Sequence, residues 1–322
     1  EISACLVGSE MCIRDSLNSM HDAFSVAIIS MMLISAVLSL LGIALIKERH
    51  IPETTKEDKV KVTDIFGMIK TNGALRIRLA DMLFTGFIWN FLFATATYYA
   101  KWAYCTDLTT GAVDTAKLGT FTMVSSLLMF FPLIIGTLVA SPIMKAIGSP
   151  IRFHRILILL EFVPGGILFV LQMVGLLQSL PAVYLLCMGV CACAIGMDYI
   201  PGEVINIEAM DYEIYKNGKD RSALCNAANK FLGKAQSAVA SGLVGVILVA
   251  VGYEVDSATD TFLGELSSIP VMLDWFIVIM GLIPFFLGLV GWLVLKRYPI
   301  TDEIRADMHE KLSGTSHAAG NT

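Results

Sequence analysis

Residues 47–78, KERHIPETTKEDKVKVTDIFGMIKTNGALRIR, follow an apolar stretch, Ala23–Ile46, and carry Lys47, Arg49, Lys56, Lys59, Lys61, Lys70, Arg76 and Arg78. Six more apolar stretches come after them: Leu79–Ala100, Leu118–Ser141, Ile156–Leu176, Ala182–Ile207, Ala227–Val251 and Met272–Leu295. Each is long enough to cross a hydrocarbon core of roughly 30 Å at about 1.5 Å rise per residue. The loops between them alternate in charge. The next loop holds only Lys101 and Lys117, beside Asp107 and Asp114. Lys145, Arg152 and Arg155 follow, then a loop, residues 174–181, with no basic residue. Lys216, Lys219 and Arg221 come next, then an acidic loop with Glu254, Asp256, Asp260 and Glu265. Lys296, Arg297, Arg305 and Lys311 close the series. This alternation is the pattern of the positive-inside rule, and it predicts a first span that starts outside and a cytoplasmic C-terminus.

Composition points the same way. The chain is 56% hydrophobic and 16% charged, against roughly 25% charged in an ordinary soluble domain. The net charge of −5 gives no reason to expect nucleic acid, because the basic residues are spread over the inner loops rather than gathered in a patch. The seven cysteines do not form a disulfide framework. Cys187, Cys191 and Cys193 lie inside a span; the run is compatible with a soft-metal site, but small residues at helix-packing positions are the better reading.

The first residues, 1–16 (EISACLVGSEMCIRDS), have neither a basic n-region nor an apolar core of signal-peptide length. Their string resembles translated adapter read-through and is expected to be non-native. Seven spans beginning outside are expected to be the back part of a longer protein. In the basic connection, Thr63-Asp64 starts a short amphipathic helix on the inner membrane face. In the tail, Thr301 caps a helix with Ile304, Met308 and Leu312 on one face, and residues 313–322 are expected to be disordered.

An ionisable side chain inside a bilayer costs at least about 2.5–3.5 kcal/mol, so each one needs a reason. The candidates are Asp81, Glu161, Asp198, Glu203, Glu208, Lys230 and Lys234, with Asp274 opening the last span. Lys234 ranks first: it lies roughly 13 Å into the sixth span, among Gly233, Ala235, Ser237 and Ala238, where another helix can approach closely. Its bland reading is a structural ion pair with Asp198 or Glu203. Lys230, one turn nearer the cytoplasm, can snorkel. The fifth span is expected to break at Ile200-Pro201-Gly202, where freed carbonyls, Asp198 and Glu203 suit a polar ligand or cation. Tyr199 offers a ring face and a hydroxyl. Asn90, Trp89 and the outer Tyr98-Tyr99 pair are weaker candidates, and an aromatic belt is the default reading of the tyrosines. All five histidines fall outside the apolar stretches, so no imidazole relay is expected, and no catalytic constellation is found; the chain is read as a non-enzyme.

With those residues in view, the chain from about Leu17 onward resembles the C-terminal portion of the glycoside–pentoside–hexuronide:cation symporters, melibiose-permease-like members of the major facilitator superfamily. The resemblance is carried by Lys47-Glu48-Arg49 and its polar connection, and by TNGALRIRL followed by YYAKWAY. It is also carried by Pro201…Glu208-Ala209-Met210-Asp211-Tyr212…Arg221…Gly233-Lys234…Ser237, and by Pro284 with Tyr298-Pro299-Ile300-Thr301-Asp302-Glu303. It implies an all-α membrane protein: a C-terminal major facilitator half plus one preceding helix, seven transmembrane helices in all. Residues 17–46 would be the last helix of the missing N-terminal half, 47–78 the central loop, 79–298 the six-helix half and 299–322 the tail. The function implied is cation-coupled transport of a sugar, glycoside or hexuronide in the bacterial inner membrane, with Na⁺ or H⁺ as coupling ion and no cofactor. Lys234 would organise a charge network with Lys230, Asp198 and Glu203. Tyr199, Asn229 and Asn90 would join Lys234 as solute contacts, and Asp211 and Arg221 would gate the inner loop. Lys230 and Tyr199 depart from the family pattern: a small polar residue and a sugar-contacting tryptophan are commoner there. Two alternatives stand beside this reading, a seven-helix receptor or photosensor and a lipid-transporting relative on the same fold. A retinal protein needs a lysine in its last helix, and Met272–Leu295 has none.

Overall fold

A computed structural model describes residues 20–45, 64–218, 220–256 and 261–319. The expectations for residues 1–16, for Lys47-Glu48-Arg49 and for Thr63 lie outside the described residues. Among the described residues, seven helices are long and apolar enough to cross a membrane. The chain divides into two units, Glu1–Lys59 and Val60–Thr322. Helix α1 (Met20–Leu45) is the described part of the first; its apolar side chains, including Met31, Leu38 and Leu45, are exposed.

The second unit begins with α2 (Asp64–Thr71), the short amphipathic helix expected from sequence. It buries Met68 against Ala74, Leu75, Ala209, Tyr212, Cys225, Ile300 and Met308, and leaves Phe66 exposed. Helix α3 (Gly73–Tyr104) starts six residues before the apolar stretch, because Asn72 caps it by accepting from the Leu75 N–H at 2.9 Å. The same Asn72 donates to Ala209 O and to Glu213, so the cap also ties α3 to a distant helix. Arg76 and Arg78, assigned to the loop from sequence, are therefore helical.

Helices α4 (Thr115–Ile147) and α5 (Pro150–Met173) are joined by Gly148 and Ser149 alone. Gly148 takes a left-handed conformation (φ 75°) as the C-cap, and Pro150 opens the next helix where its missing N–H is not needed. This corrects the sequence reading that placed all histidines outside the spans: His154 sits in the second turn of α5 and is buried. Hydropathy had trimmed the helix there because Arg152, His154 and Arg155 depress the local average.

Helix α6 (Pro181–Asn217) runs without interruption through Pro201 and Gly202, so the expected break is absent. A proline removes one bond, but neighbouring helices hold the rest of the ladder. Helix α7 is Ser222–Ala250. The real irregularity lies in the last span, where α8 (Ser268–Ile277) passes through a π-turn, Val278–Leu282, into α9 (Ile283–Val294). There the Gly281 and Gly165 backbones meet so closely that a Cβ on Gly281 would lie 2.5 Å from the Gly165 carbonyl. The helix α10 (Asp302–Ala319) runs on beyond the expected limit at Leu312; once nucleated, a helix adds each further residue cheaply.

Two packing solutions hold the bundle. Helices α4 and α6 cross backbone to backbone at Gly136 and Gly196, where a Cβ on Gly136 would lie 2.4 Å from Cys193 O, and Thr137 Oγ1 donates to Gly196 O at 3.0 Å. This is the close approach that small residues allow between membrane helices. The acidic-loop end is filled by aromatic side chains. Tyr99, expected in an interfacial belt, is instead fully buried, stacked on Tyr184 at 5.4 Å between centroids and donating to Gln172 at 2.7 Å. Gln172 in turn donates to Asp274 at 2.7 Å.

At the opposite end α10 docks on α6. Arg305 binds Glu208 at 2.6 Å, and Tyr215 donates to Asp307, whose carboxyl is held below its usual range by that hydroxyl and by the Lys311 ammonium. Arg305→Ala should undock α10 at a cost of at most about 1 kcal/mol, since the pair is partly solvated. Limited proteolysis checks this: faster cleavage within α10 with an unchanged bundle is the expected result, and equal cleavage rates would show that the pair does not hold the helix.

Candidate functional site

The site grows from the first turns of α3. Arg78 and Asp81 lie three residues apart and so share a face. Arg78 Nη1 donates to Asp81 Oδ2 at 2.5 Å, and its Nε donates to Asn206 on α6 at 2.8 Å. His154 on α5 enters from the other side: its Nε2 lies 2.9 Å from Asp81 Oδ2, and its Nδ1 bonds Asp198 Oδ1 on α6. Both ring nitrogens thus face carboxylate oxygens, an arrangement in which both can donate only as the imidazolium. The result is a set of two cations and two carboxylates linking three helices, with Asp81 and His154 essentially inaccessible and Asp81 Oδ1 buried without a partner among the described residues. Glycine at 202 gives the guanidinium room, since a Cβ there would lie 3.2 Å from Arg78 Nη2, a tight contact.

Glu161 stands two turns beyond His154 on the same face of α5. It is only 6% exposed, yet among the described residues its carboxylate has neither an ion pair nor a hydrogen bond. Its carbonyl oxygen is engaged by Cys191 Sγ at 3.4 Å.

A cleft of about 190 Å³ opens beside this cluster. Trp89, Met82 and Thr85 of α3 line one side; Asp198, Tyr199 and Glu203 of α6 line the other; Glu161, Arg78 and Gln236 sit at its back and edges. Gln236 on α7 is buried and donates to Met82 O at 2.6 Å and Leu83 O at 3.1 Å, with Gly86 leaving room for its amide. Tyr199 is half exposed at the cleft wall. The lining thus offers two aromatic faces, an amide and three carboxylates in an otherwise apolar helical wall.

The structure brings together only part of the sequence-predicted set. Asp198, Tyr199 and Glu203 line the cleft. Lys230 and Lys234 are exposed on α7, do not line it, and have no ion pair among the described residues; Asp198 is bound by His154 rather than by Lys234. Asn90 donates to Gly86 O of its own helix at 2.8 Å, and Asn229 lies outside the cleft with a buried, unpartnered Oδ1. In the inner loop Arg221 pairs with Glu213 at 3.4 Å instead of Asp211, which is half-buried. Glu213 also accepts from Asn72 and Asn217.

Sequence reasoning missed Arg78, His154 and Gln236. The first two were placed in loops by hydropathy, although Asn72 before Gly73 and the Gly148-Ser149-Pro150 string are readable helix boundaries. Gln236 carries no sequence signal beyond being a polar residue in an apolar helix. In the cysteine run Cys187 and Cys191 are buried, and the backbone carbonyl of Cys193 abuts Gly136.

No curated protein matches this chain in sequence. A family model described as MFS/sugar transport protein matches residues 6–302, and the chain, with seven apolar membrane-length helices among its described residues, belongs to that family of the major facilitator superfamily.

Proposed function

We propose that this chain forms one wall of a cation-coupled carrier for a neutral sugar or glycoside, working by alternating access without covalent chemistry. The family and the membrane helices support a sugar transporter; the coupling and the substrate class are the finer reading. The observation that carries it is the cleft itself, an acidic and aromatic recess in an apolar wall. Its 190 Å³ falls short of the roughly 300–1,000 Å³ of a complete ligand pocket, as suits a site closed by a facing surface. Trp89 and Tyr199 supply ring faces for a pyranose, and Gln236 and Glu203 supply hydroxyl partners.

Of the substrates the resemblance implies, the lining favours the uncharged ones. Exposed Glu203 repels a hexuronate carboxylate, while Arg78, the cleft's one cation besides His154 nearby, is committed to Asp81 and Asn206, and His154 is committed to Asp81 and Asp198. Lys234 would act from outside this cleft, toward the facing half. The chain would lie in a bacterial inner membrane with α10 on the cytoplasmic side, in line with its basic loops.

Uptake of radiolabelled melibiose, lactose and methyl glucuronide by vesicles carrying the full-length protein tests this. Accumulation of a neutral glycoside in preference to the glucuronide is expected, with Tyr199→Ala and Trp89→Ala each raising KM about tenfold or more through lost stacking. Preferential glucuronide uptake would overturn the substrate class. Lys234→Ala separates coupling from recognition: abolished coupled uptake with normal insertion places the lysine in the network, and unchanged uptake makes it architectural.

A further inference from the structure

Two carboxyls of this cleft stand outside the charge cluster, and of them Glu161 is buried while Glu203 is exposed. Around Glu161, α3 presents Arg78 and Asp81, α5 itself presents His154, and α6 presents Asp198, Tyr199 and Cys191. Gln236 on α7 and Met280 and Pro284 at the π-turn are the non-titrating neighbours that share its cavities. Arg78 and His154 balance Asp81 and Asp198 in charge, both binding Asp81 Oδ2 while His154 bridges on to Asp198. Among the described residues no cation bonds the Glu161 carboxyl, which is only 6% exposed and lines the cleft directly. On its other side lies a void of only about 10 Å³, at the lower limit for a single water, so its exchange with solvent runs through the cleft.

We infer that Glu161 is a proton-binding site of this cleft, so that the ion coupled to its opening and closing is H⁺. The inference rests on the transport reading above and deepens it. The step is a simple one: the carboxylic acid releases its proton to cleft water and becomes a carboxylate, and the reverse transfer restores it; no other bond changes. A buried carboxylate without a partner is strongly disfavoured, so the cleft can close over Glu161 only in its protonated form. While the cleft is open, water can solvate the ionised form. A bare Na⁺ entering here would sit beside the two cations, Arg78 and His154, that already bind Asp81 and Asp198, and their charge opposes it.

The test is infrared difference spectroscopy of the purified full-length protein, titrated from about pH 5 to about pH 9, well clear of an ordinary carboxyl. A protonated-carboxyl C=O band should disappear as pH rises in the parent, be missing in Glu161→Gln, and reappear at a shifted frequency in Glu161→Asp. Raising Na⁺ at constant ionic strength should leave the band in place. A band that is the same in parent and Glu161→Gln overturns the assignment, as does a band that Na⁺ abolishes. Should Glu161→Gln fail to fold, Glu161→Asp decides alone: an unshifted band sinks the proposal. These spectra need no sugar, so a failed uptake assay would count against the carrier reading and not against the proton site.

Discussion

His154→Ala should destabilise the Val60–Thr322 unit by about 3–5 kcal/mol, the usual loss when one partner is removed from a buried ion pair. The substitution strips Asp198 of its cation and leaves Asp81 with Arg78 alone. Most of the loss comes from the carboxylates left behind rather than from the ring. His154→Ala combined with Asp198→Asn should therefore recover a good part of the stability, a non-additivity that a double-mutant cycle measures. Thermal unfolding in detergent is the readout. A single variant within about 1 kcal/mol of the parent would mean that the cluster is not a stabilising unit. Membrane insertion should be unaffected, because the hydropathy of α5 is carried by Ile156–Leu160 and the residues beyond.

The second large effect is expected at Gly196. A Cβ there would lie 2.1 Å from the Leu133 carbonyl oxygen and 2.8 Å from Leu133 Cα, backbone atoms that cannot step aside. Gly196→Ala must push α4 off α6 and break the Thr137–Gly196 hydrogen bond. The cost should be at or above the roughly 1–3 kcal/mol typical of overpacking. Gly233 is the control. It lies in mid-helix with nothing within 4 Å of its Cβ position, so Gly233→Ala should be neutral or stabilising by up to about 1 kcal/mol. Equal melting temperatures for the two variants would show that the glycine crossing carries no packing constraint.

What could be read from the chain, and what could not, divides along a physical line. Segments that are apolar all round, such as Leu118–Ser141, announce themselves through hydropathy, and the loop charges predict their sides. The site is another matter. Two of its members, Arg78 and His154, sit where a helix extends beyond the apolar window, and there an average over many residues reports the arginine and histidine as loop. Arg78 and His154 became visible only when cap chemistry placed them inside helices. Lys234 shows the converse error. Depth along a helix was legible, but azimuth was not, and in the structure it is exposed rather than facing the acidic residues of α6. Asp198, Tyr199 and Glu203 were found because they flank Pro201-Gly202. The reason differs from the one expected: the helix does not open there, and glycine's role is to let a guanidinium approach.

The π-turn at Val278–Leu282 bears on how the last span can vary. Such a turn absorbs one residue more than an α-helix spanning the same contacts. Deleting a single residue between Ile277 and Ile283 would leave Leu273 and Phe276 before it, and Pro284 and Gly288 after it, pointing as they do now. An extra residue elsewhere in the span would swing everything downstream by about 100° about the axis. This is accordingly the one stretch of the seventh helix where chain length is negotiable, and relatives that differ in length there should keep the same interlocking of glycine 165 and its neighbours.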